Sequence, residues 1–259
     1  MKARIAAVEY LNAKPLTWGL ERLPRGQFAA ATPSAVAELL SRGQADVALI
    51  PSIELLRDPA CEYLPGICIA SHGPVMSVVL VCNKPPERVR TVALDTSSRS
   101  SVTLCRIILQ RLYGAAPDYV DWTPGTNLGS VRADAFLAIG DHGLRLRLCN
   151  RDALDMGEAW HNLTGLPFVY ALWAGKHIDD EVAELLRRSK QEGLAHLGEI
   201  AAREAARLDL PGNVCRDYLV NRIGYDLGEA EQEGLDRFRQ YAAEIGLCPA
   251  HPATAAAAP

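Results

Sequence analysis

Residues 91–113, TVALDTSSRSSVTLCRIILQRLY, predict a strand, a turn and a helix in succession. Residues 91–94 form a short apolar run that predicts a buried strand, and 95–101 form a polar turn. Residues 102–113 carry apolar side chains at helical spacing, which predicts an amphipathic helix. A strand that leads through a turn into a helix is the repeating unit of α/β folds with parallel sheets.

Short apolar segments that predict strands recur along most of the chain. They lie at 5–10, 47–50, 75–82, 135–139 and 167–173. Helix-period segments between several of them, such as 35–41, predict helices that cover both faces of a sheet. From residue 179 onward the chain is rich in helix formers, with a second amphipathic segment at 229–245. The sequence therefore predicts an α/β fold.

The chain is predicted to form two lobes. The sequence NKPP at 83–86 is a strong break in the pattern and suits a lobe boundary. We expect residues 1–85 and 176–248 to form a discontinuous lobe I and residues 86–175 to form lobe II. Residues 249–259 consist mostly of Ala, Pro and Thr, and they are predicted to form a disordered tail.

Composition and charge restrict the classes of partner. The 259 residues are 49% hydrophobic and 22% charged, with a formal net charge of -4, so no basic surplus is available to bind nucleic acid. The first residues contain no apolar signal segment, and no apolar stretch reaches the roughly 18 residues of a membrane-spanning helix. We therefore expect a cytoplasmic protein that binds neither nucleic acid nor a membrane. Monomer and homodimer both stay open.

Cysteine and histidine spacing predicts no metal site. The seven cysteines include no CxxC pair, and the six histidines form no HExxH motif. The cysteines are expected to be free thiols, which fits a reducing compartment. Neither a Walker motif nor GxGxxG occurs, and no cofactor is expected.

Ligands of open α/β sheets bind beyond the carboxyl ends of the strands. Five polar segments that follow or adjoin predicted strands are therefore candidates for a site. They are 10–12, 51–52, 71–77, 95–101 and 140–142. Segment 95–101 combines hydroxyls and a guanidinium at a helix start, where unpaired backbone N–H groups favour an anion. The alternative, in which one hydroxyl caps the helix and the others are solvated, stays open.

We predict that side chains from these segments bind a carboxylate, because no nucleotide-phosphate motif is present. The predicted binding residues are Ser52, Thr96, Ser97, Ser98, Arg99, Ser100, Gly140 and Asp141. From the residues alone, Asn12 is also explained as a turn residue ahead of Pro15, and Ser77 as a small polar residue within a strand. Ser77 lacks the GxSxG surroundings of a hydrolase nucleophile.

Five motifs of the chain resemble a known enzyme family. They are YLNAKPL at 10–16, GPVMSV at 73–78, DTSSRSS at 95–101, IGD at 139–141 and TGLPFV at 164–169. In order and spacing they resemble the chorismate dehydratases of the futalosine route to menaquinone. The resemblance implies a periplasmic-binding-protein-like type II fold, with a ligand cleft between two lobes, used as a cytoplasmic lyase.

The reaction implied by the resemblance is loss of water from chorismate to give 3-(1-carboxyvinyloxy)benzoate, with no cofactor and no metal. In the family, the asparagine of the first motif and the serine of the second are linked to catalysis, which assigns these roles to Asn12 and Ser77. His142 departs from the family pattern, in which a small residue often follows Gly-Asp.

Two other functions stay open at this point. A dihydroxynaphthoate synthase of the same pathway shares the implied fold, but it is expected to carry a histidine where this chain has Gly140. A non-catalytic protein that binds a small anion is the second alternative, because fold alone does not fix function.

Overall fold

A computed structural model describes residues 3–123, 131–150, 152–250 and 254–255. The strands are β1 (Ile5–Val8), β2 (Phe28–Ala31), β3 (Val47–Pro51), β4 (Glu62–Ser71), β5 (Val79–Cys82), β6 (Thr91–Asp95), β7 (Asp118–Trp122), β8 (Ala135–Ala138), β9 (Leu154–Asp155), β10 (Phe168–Gly175) and β11 (Thr254–Ala255). The α-helices are α1 (Pro33–Ser41), α2 (Ser52–Arg57), α3 (Ser100–Tyr113), α4 (Gly140–Cys149), α5 (Met156–Thr164), α6 (Asp180–Ala195), α7 (Leu197–Leu208), α8 (Gly212–Asp217) and α9 (Glu229–Glu244). Three 3-10 segments, Leu11–Thr17, Leu20–Arg22 and Pro86–Arg88, and a π-helical turn, Tyr218–Arg222, complete the helical structure of these residues.

The first sheet has the strand order β11-β4-β10-β3-β1-β2. Strand β1 pairs in parallel with β2 and β3, whereas β10 pairs antiparallel with β3 and β4. Strands β3 and β10 are buried along their whole length. Strands covered on both faces need apolar side chains at every position, which explains why these two read as continuous apolar runs.

The second sheet has the strand order β7-β6-β8-β5-β9. Strand β6 is parallel to β7 and β8, and β5 is antiparallel to β8 and β9. The segment at 91–113 forms the predicted strand and helix as β6 and α3, and Gly114 ends the helix in the left-handed conformation that favours glycine. The α/β prediction is confirmed, with two sheets as a two-lobed fold requires.

The predicted lobe boundaries and the observed sheets assign two strands differently. Strand β5 belongs to the second sheet although it precedes the boundary at 85/86, and β10 belongs to the first sheet although it precedes the boundary at 175/176. Antiparallel pairing, of β5 with β8 and of β10 with β3, places each strand in its sheet. The break at 83–86 does not coincide with the crossing between sheets.

The predicted disordered tail falls partly outside the described residues, at 251–253 and 256–259. Within the described part, the backbone of β11 pairs in parallel with β4. Among the helices that the structure describes, none has both the length and the apolar character needed to cross a membrane.

Candidate active site

A cavity with about 510 Å³ of empty space, part of it open to solvent, lies between the two sheets. It is found beyond the carboxyl ends of the parallel strands β1, β3, β6 and β8, as the geometry of open α/β sheets predicts. Tyr10 and Asn12 follow β1, Pro51 ends β3, Ser98 follows β6 and Gly140 follows β8, and all five line the cavity. None of the described side chains that line it carries a charge.

Asn12 is held in place by the 3-10 segment Leu11–Thr17 and presents its amide to the cavity. Its Oδ1 is buried and has no hydrogen-bond partner among the described residues. At the start of the segment, the Leu11 N–H donates to Asp141 Oδ1 at 2.9 Å. At its other end, the Ser189 hydroxyl donates to the carbonyl of Leu16 at 3.0 Å. These anchors fix the backbone around Asn12, whose carboxamide oxygen has no competing partner among the described residues.

Ser77 lines the same cavity from the loop between β4 and β5. The Asp155 carboxylate accepts the N–H of Val75 at 3.0 Å and that of Met76 at 2.7 Å. Met76 has a φ of 65°, in the left-handed region that is uncommon for a residue other than glycine. Backbone conformations of this kind persist only where surrounding bonds impose them, and they cluster at functional sites. Asp155 therefore holds the strained loop that presents Ser77.

The side chain of Tyr218 contacts Ser77, and nothing in the sequence indicated this contact. Its hydroxyl donates to Ser77 Oγ at 2.7 Å, and its side chain is buried. Burial raises the pKa of Tyr218 well above its usual value of 10, while its hydrogen-bond contacts with Ser77 and Asn12 act in the opposite direction. The two residues lie 141 positions apart, and no local sequence pattern signals a contact at that distance.

The serine-rich turn faces the cavity only in part. Ser98 and Ser100 line it, as does Ser101, which was not among the predicted binding residues. Ser98 Oγ also accepts the N–H of Ser101 at 3.3 Å, so the capping role that stayed open applies here as well. Ser52 does not line the cavity but packs behind Ser100. Its hydroxyl donates to the carbonyl of Val169 at 2.7 Å and lies 3.1 Å from Ser100 Oγ.

Three predicted binding residues of this turn do not line the cavity. Thr96 and Ser97 border a neighbouring cavity that Tyr10 also lines. Arg99 turns away, and its Nη1 bonds Glu54 Oε2 at 2.8 Å. Because a carboxylate already pairs with this guanidinium, the geometry gives no support to Arg99 as the cation that binds the ligand.

Gly140 and Asp141 begin α4 and have different roles. Gly140 lines the cavity at a φ of 56°, and a Cβ at this position would lie 2.6 Å from Cδ2 of Tyr10. Asp141 bridges the Leu11 N–H and Nη2 of Arg207, the latter at 3.3 Å. Burial raises the pKa of Asp141, which the Leu11 N–H and Arg207 counteract. Asp141 thus joins the start of α4 to the segment that carries Asn12.

Asp95 and His142 line the neighbouring cavity. Oδ2 of Asp95 and Nε2 of His142 are buried without a hydrogen-bond partner among the described residues. Burial raises the pKa of Asp95 and lowers that of His142, which favours a neutral imidazole. His142 packs against Trp122, with ring centroids 5.3 Å apart. In the described part of the chain, no group of three or more His, Cys, Asp and Glu residues could hold a metal ion.

A family model described as menaquinone biosynthesis matches residues 3–244. The chain belongs to this family. A chorismate dehydratase from Thermus thermophilus is 31% identical over 252 residues, covering 89% of this chain and 92% of the relative. A chorismate dehydratase from Campylobacter jejuni is 26% identical over 239 residues, covering 89% and 93% respectively. These matches confirm the family resemblance inferred from the five motifs.

The fold of this family member also matches solved structures. A Candida albicans protein with the generic periplasmic binding protein fold superposes with a TM-score of 0.65. The match covers 95% of this chain and 91% of that one, at 10% sequence identity, and it therefore shows the fold alone. The predicted periplasmic-binding-protein-like fold is confirmed.

Proposed function

We propose that this protein is a chorismate dehydratase, a lyase that converts chorismate into 3-(1-carboxyvinyloxy)benzoate and water. The observation that carries the proposal is that residues from three separate motifs, Asn12, Ser77 and the three serines Ser98, Ser100 and Ser101, line one cavity. Two curated relatives across most of the chain are chorismate dehydratases, which supports the same function. Neither a dihydroxynaphthoate synthase of the same pathway nor a non-catalytic anion-binding protein has comparable support.

The proposed reaction breaks the C3–H and C4–O bonds of the cyclohexadiene. The C3–H electron pair becomes part of the new aromatic ring, and the C4 hydroxyl leaves and takes up a proton as water. Aromatisation supplies the driving force. The protein must align the two bonds, stabilise charge on the departing oxygen and exclude water from the cavity.

Asn12 and Ser77 are assigned the polar contacts to the reacting atoms. Neither an amide nor an alcohol is a competent base near neutral pH, so the proton from C3 needs another acceptor. In this proposal a carboxylate of the substrate itself accepts it, while the Ser77 hydroxyl and the Asn12 amide orient the ring and donate hydrogen bonds. Charge that develops on the leaving oxygen strengthens those hydrogen bonds in the transition state.

The substrate carboxylates are assigned to the start of α3. The lining residues that the structure describes include no cation, and in this proposal the anion is bound by hydroxyls and by the N-terminal end of a helix. Ser98 and Ser101 supply hydroxyls at that end, whereas the Ser100 hydroxyl donates to Ser52 Oγ and braces the turn. The backbone of Gly140 lies close to the Tyr10 ring and forms part of the cavity wall. Asp141 contributes indirectly, because it anchors the segment that carries Asn12.

A direct assay tests the proposed function. Purified protein is incubated with chorismate, and the loss of substrate and the gain of aromatic product are followed by absorbance and chromatography. Asn12→Ala and Ser77→Ala should each lower turnover by about 100-fold or more, as expected for loss of a transition-state hydrogen bond. Ser41→Ala, at an exposed serine of α1, is the matched control. Chorismate that stays intact with the unaltered protein would refute the function.

We also propose that the protein acts in the cytoplasm and that its two lobes close on the substrate. All seven cysteines are free thiols, which fits a reducing compartment. Closure would remove water from the cavity before the reaction. Small-angle scattering should show compaction on addition of the product, and an unchanged radius of gyration would count against closure.

A further inference from the structure

The direction in which the Ser77 hydroxyl points is decided by a neighbouring side chain. A serine hydroxyl has one hydrogen to donate and lone pairs that accept. Tyr218 donates to Ser77 Oγ at 2.7 Å, so this contact occupies an acceptor site of the serine. Within the part of the chain that the structure describes, no protein group accepts the hydrogen of the Ser77 hydroxyl. Ser77 also lines the cavity. Its hydrogen is therefore free to be donated to a ligand.

Tyr218 is suited to be a permanent donor. Its side chain is 1% exposed, and burial raises its pKa well above the usual 10, so the phenol is protonated near neutral pH. The negative charges of Asp141 and Asp155 act in the same direction as burial. A neutral phenol retains the hydrogen that Tyr218 donates to Ser77 Oγ in this structure.

The backbone places Tyr218 by an unusual turn. Helix α8 continues into the π-helical turn Tyr218–Arg222, in which the Ile223 N–H bonds the Tyr218 carbonyl at 3.2 Å. Turns of this type are rare, and they occur frequently at functional sites. The Asp217 carboxylate accepts from Asn221 at 2.8 Å and from Arg222, which braces the turn from outside. The local structure is thus built around the residue that contacts Ser77.

We propose that Tyr218 is a positioning residue that orients the Ser77 hydroxyl, so that its hydrogen points at the leaving oxygen of the substrate. The inference rests on the proposed dehydration and deepens it. Tyr218 donates to Ser77, and Ser77 donates to the C4 oxygen as the C–O bond breaks. Hydrogen bonds linked in this way polarise one another, so the Ser77 donor is stronger when charge develops on the leaving oxygen. No covalent change occurs at either side chain.

Tyr218→Phe removes only the hydroxyl and is the test, with Tyr225→Phe as its matched control. Tyr225 is also buried, and its hydroxyl has no hydrogen-bond partner among the described residues. With chorismate as substrate, Tyr218→Phe should lower kcat by about 10- to 100-fold while KM changes by less than about threefold. Tyr225→Phe should keep both constants, and thermal unfolding should show that both variants fold.

A double-mutant cycle with Ser77→Ala separates positioning from a general structural effect. If Tyr218 acts through Ser77, then Tyr218→Phe causes little further loss of kcat in a protein that already carries Ser77→Ala. An equal loss in both backgrounds, or unchanged kcat in the single Tyr218→Phe variant, would overturn this inference alone. Unaltered protein that leaves chorismate intact would overturn the proposed function together with it.

Discussion

Replacement of Gly140 by alanine tests how closely the cavity wall is fitted. Gly140 lies at a φ of 56°, and a Cβ there would approach the Tyr10 ring at 2.6 Å from Cδ2 and 2.8 Å from Cγ. Carbon atoms in favourable contact lie about 3.5–4.0 Å apart, so the ring must move by roughly 1 Å. That movement would disturb the 3.2 Å contact between the Tyr10 hydroxyl and Ser97.

The expected loss of stability has two parts. Alanine in a left-handed conformation costs about 1 kcal/mol, and overpacking that displaces a ring and weakens its hydrogen bond costs about 2 kcal/mol more. Gly114→Ala is the matched control, because Gly114 has a φ of 63° but nothing within 4 Å of its Cβ position. Gly114→Ala should therefore lose about 1 kcal/mol and Gly140→Ala about 3 kcal/mol.

Urea unfolding measures the two free energies, and the chorismate assay measures activity. Tyr10 lines the cavity, so a shift of its ring by roughly 1 Å should lower kcat/KM by at least about tenfold in Gly140→Ala. Gly114→Ala should keep normal activity because it lies at the far end of α3. If Gly140→Ala were as stable and as active as Gly114→Ala, the contact between Gly140 and Tyr10 would have no part in shaping the site.

Three further substitutions test single residues. Asp155→Asn should lower the free energy of unfolding in urea by about 2 kcal/mol and slow turnover, because the Asp155 carboxylate accepts two N–H groups of the loop that carries Ser77. Normal turnover would show that these two hydrogen bonds are not needed to position Ser77. Arg99→Ala should change KM by less than about threefold, since Glu54 already pairs with the guanidinium; a much higher KM would restore Arg99 as a ligand-binding residue. Burial raises the pKa of Asp95 above its ordinary value of 3.8. Ionisation of this carboxyl therefore destabilises the folded state at pH values above the raised pKa, and this cost disappears as the pH falls below 3.8. Asp95→Asn should therefore gain about 1 kcal/mol near neutral pH and less in acid, whereas a pH-independent gain would contradict this.

The local features of the fold could be predicted from the sequence. The strand and helix of 91–113 and the amphipathic helix α9 follow from apolar spacing, which reflects burial on one face. The segments that line the cavity also follow, because the carboxyl ends of parallel strands meet at one edge. Ser98, Ser100 and Gly140 were found by this rule, whereas Asn12 and Ser77 were assigned by family resemblance.

Long-range contacts could not be predicted in the same way. Residues 75–78 continue the apolar run of β5, yet they form a loop because Asp155 takes the N–H groups of Val75 and Met76. Arg99 has the charge of an anion-binding residue, but Glu54 of another helix pairs with it. Each of these outcomes depends on a partner more than forty positions away along the chain, and periodicity carries no information about such partners.

The proposed chemistry explains why the described residues that line the cavity include no charged side chain. A cation beside the ring would bind the ground-state carboxylates as strongly as the transition state, and uniform binding of this kind does not raise kcat. Hydroxyls, an amide and a helix end bind the anion less strongly, but they are held in place before the substrate arrives. The reaction gains its driving force from aromatisation, so the protein needs orientation and one well-directed donor more than a strong acid. On this argument, the anchors of Asn12 and Ser77, namely Asp141, Asp155 and Tyr218, matter as much to the rate as the two side chains that face the substrate.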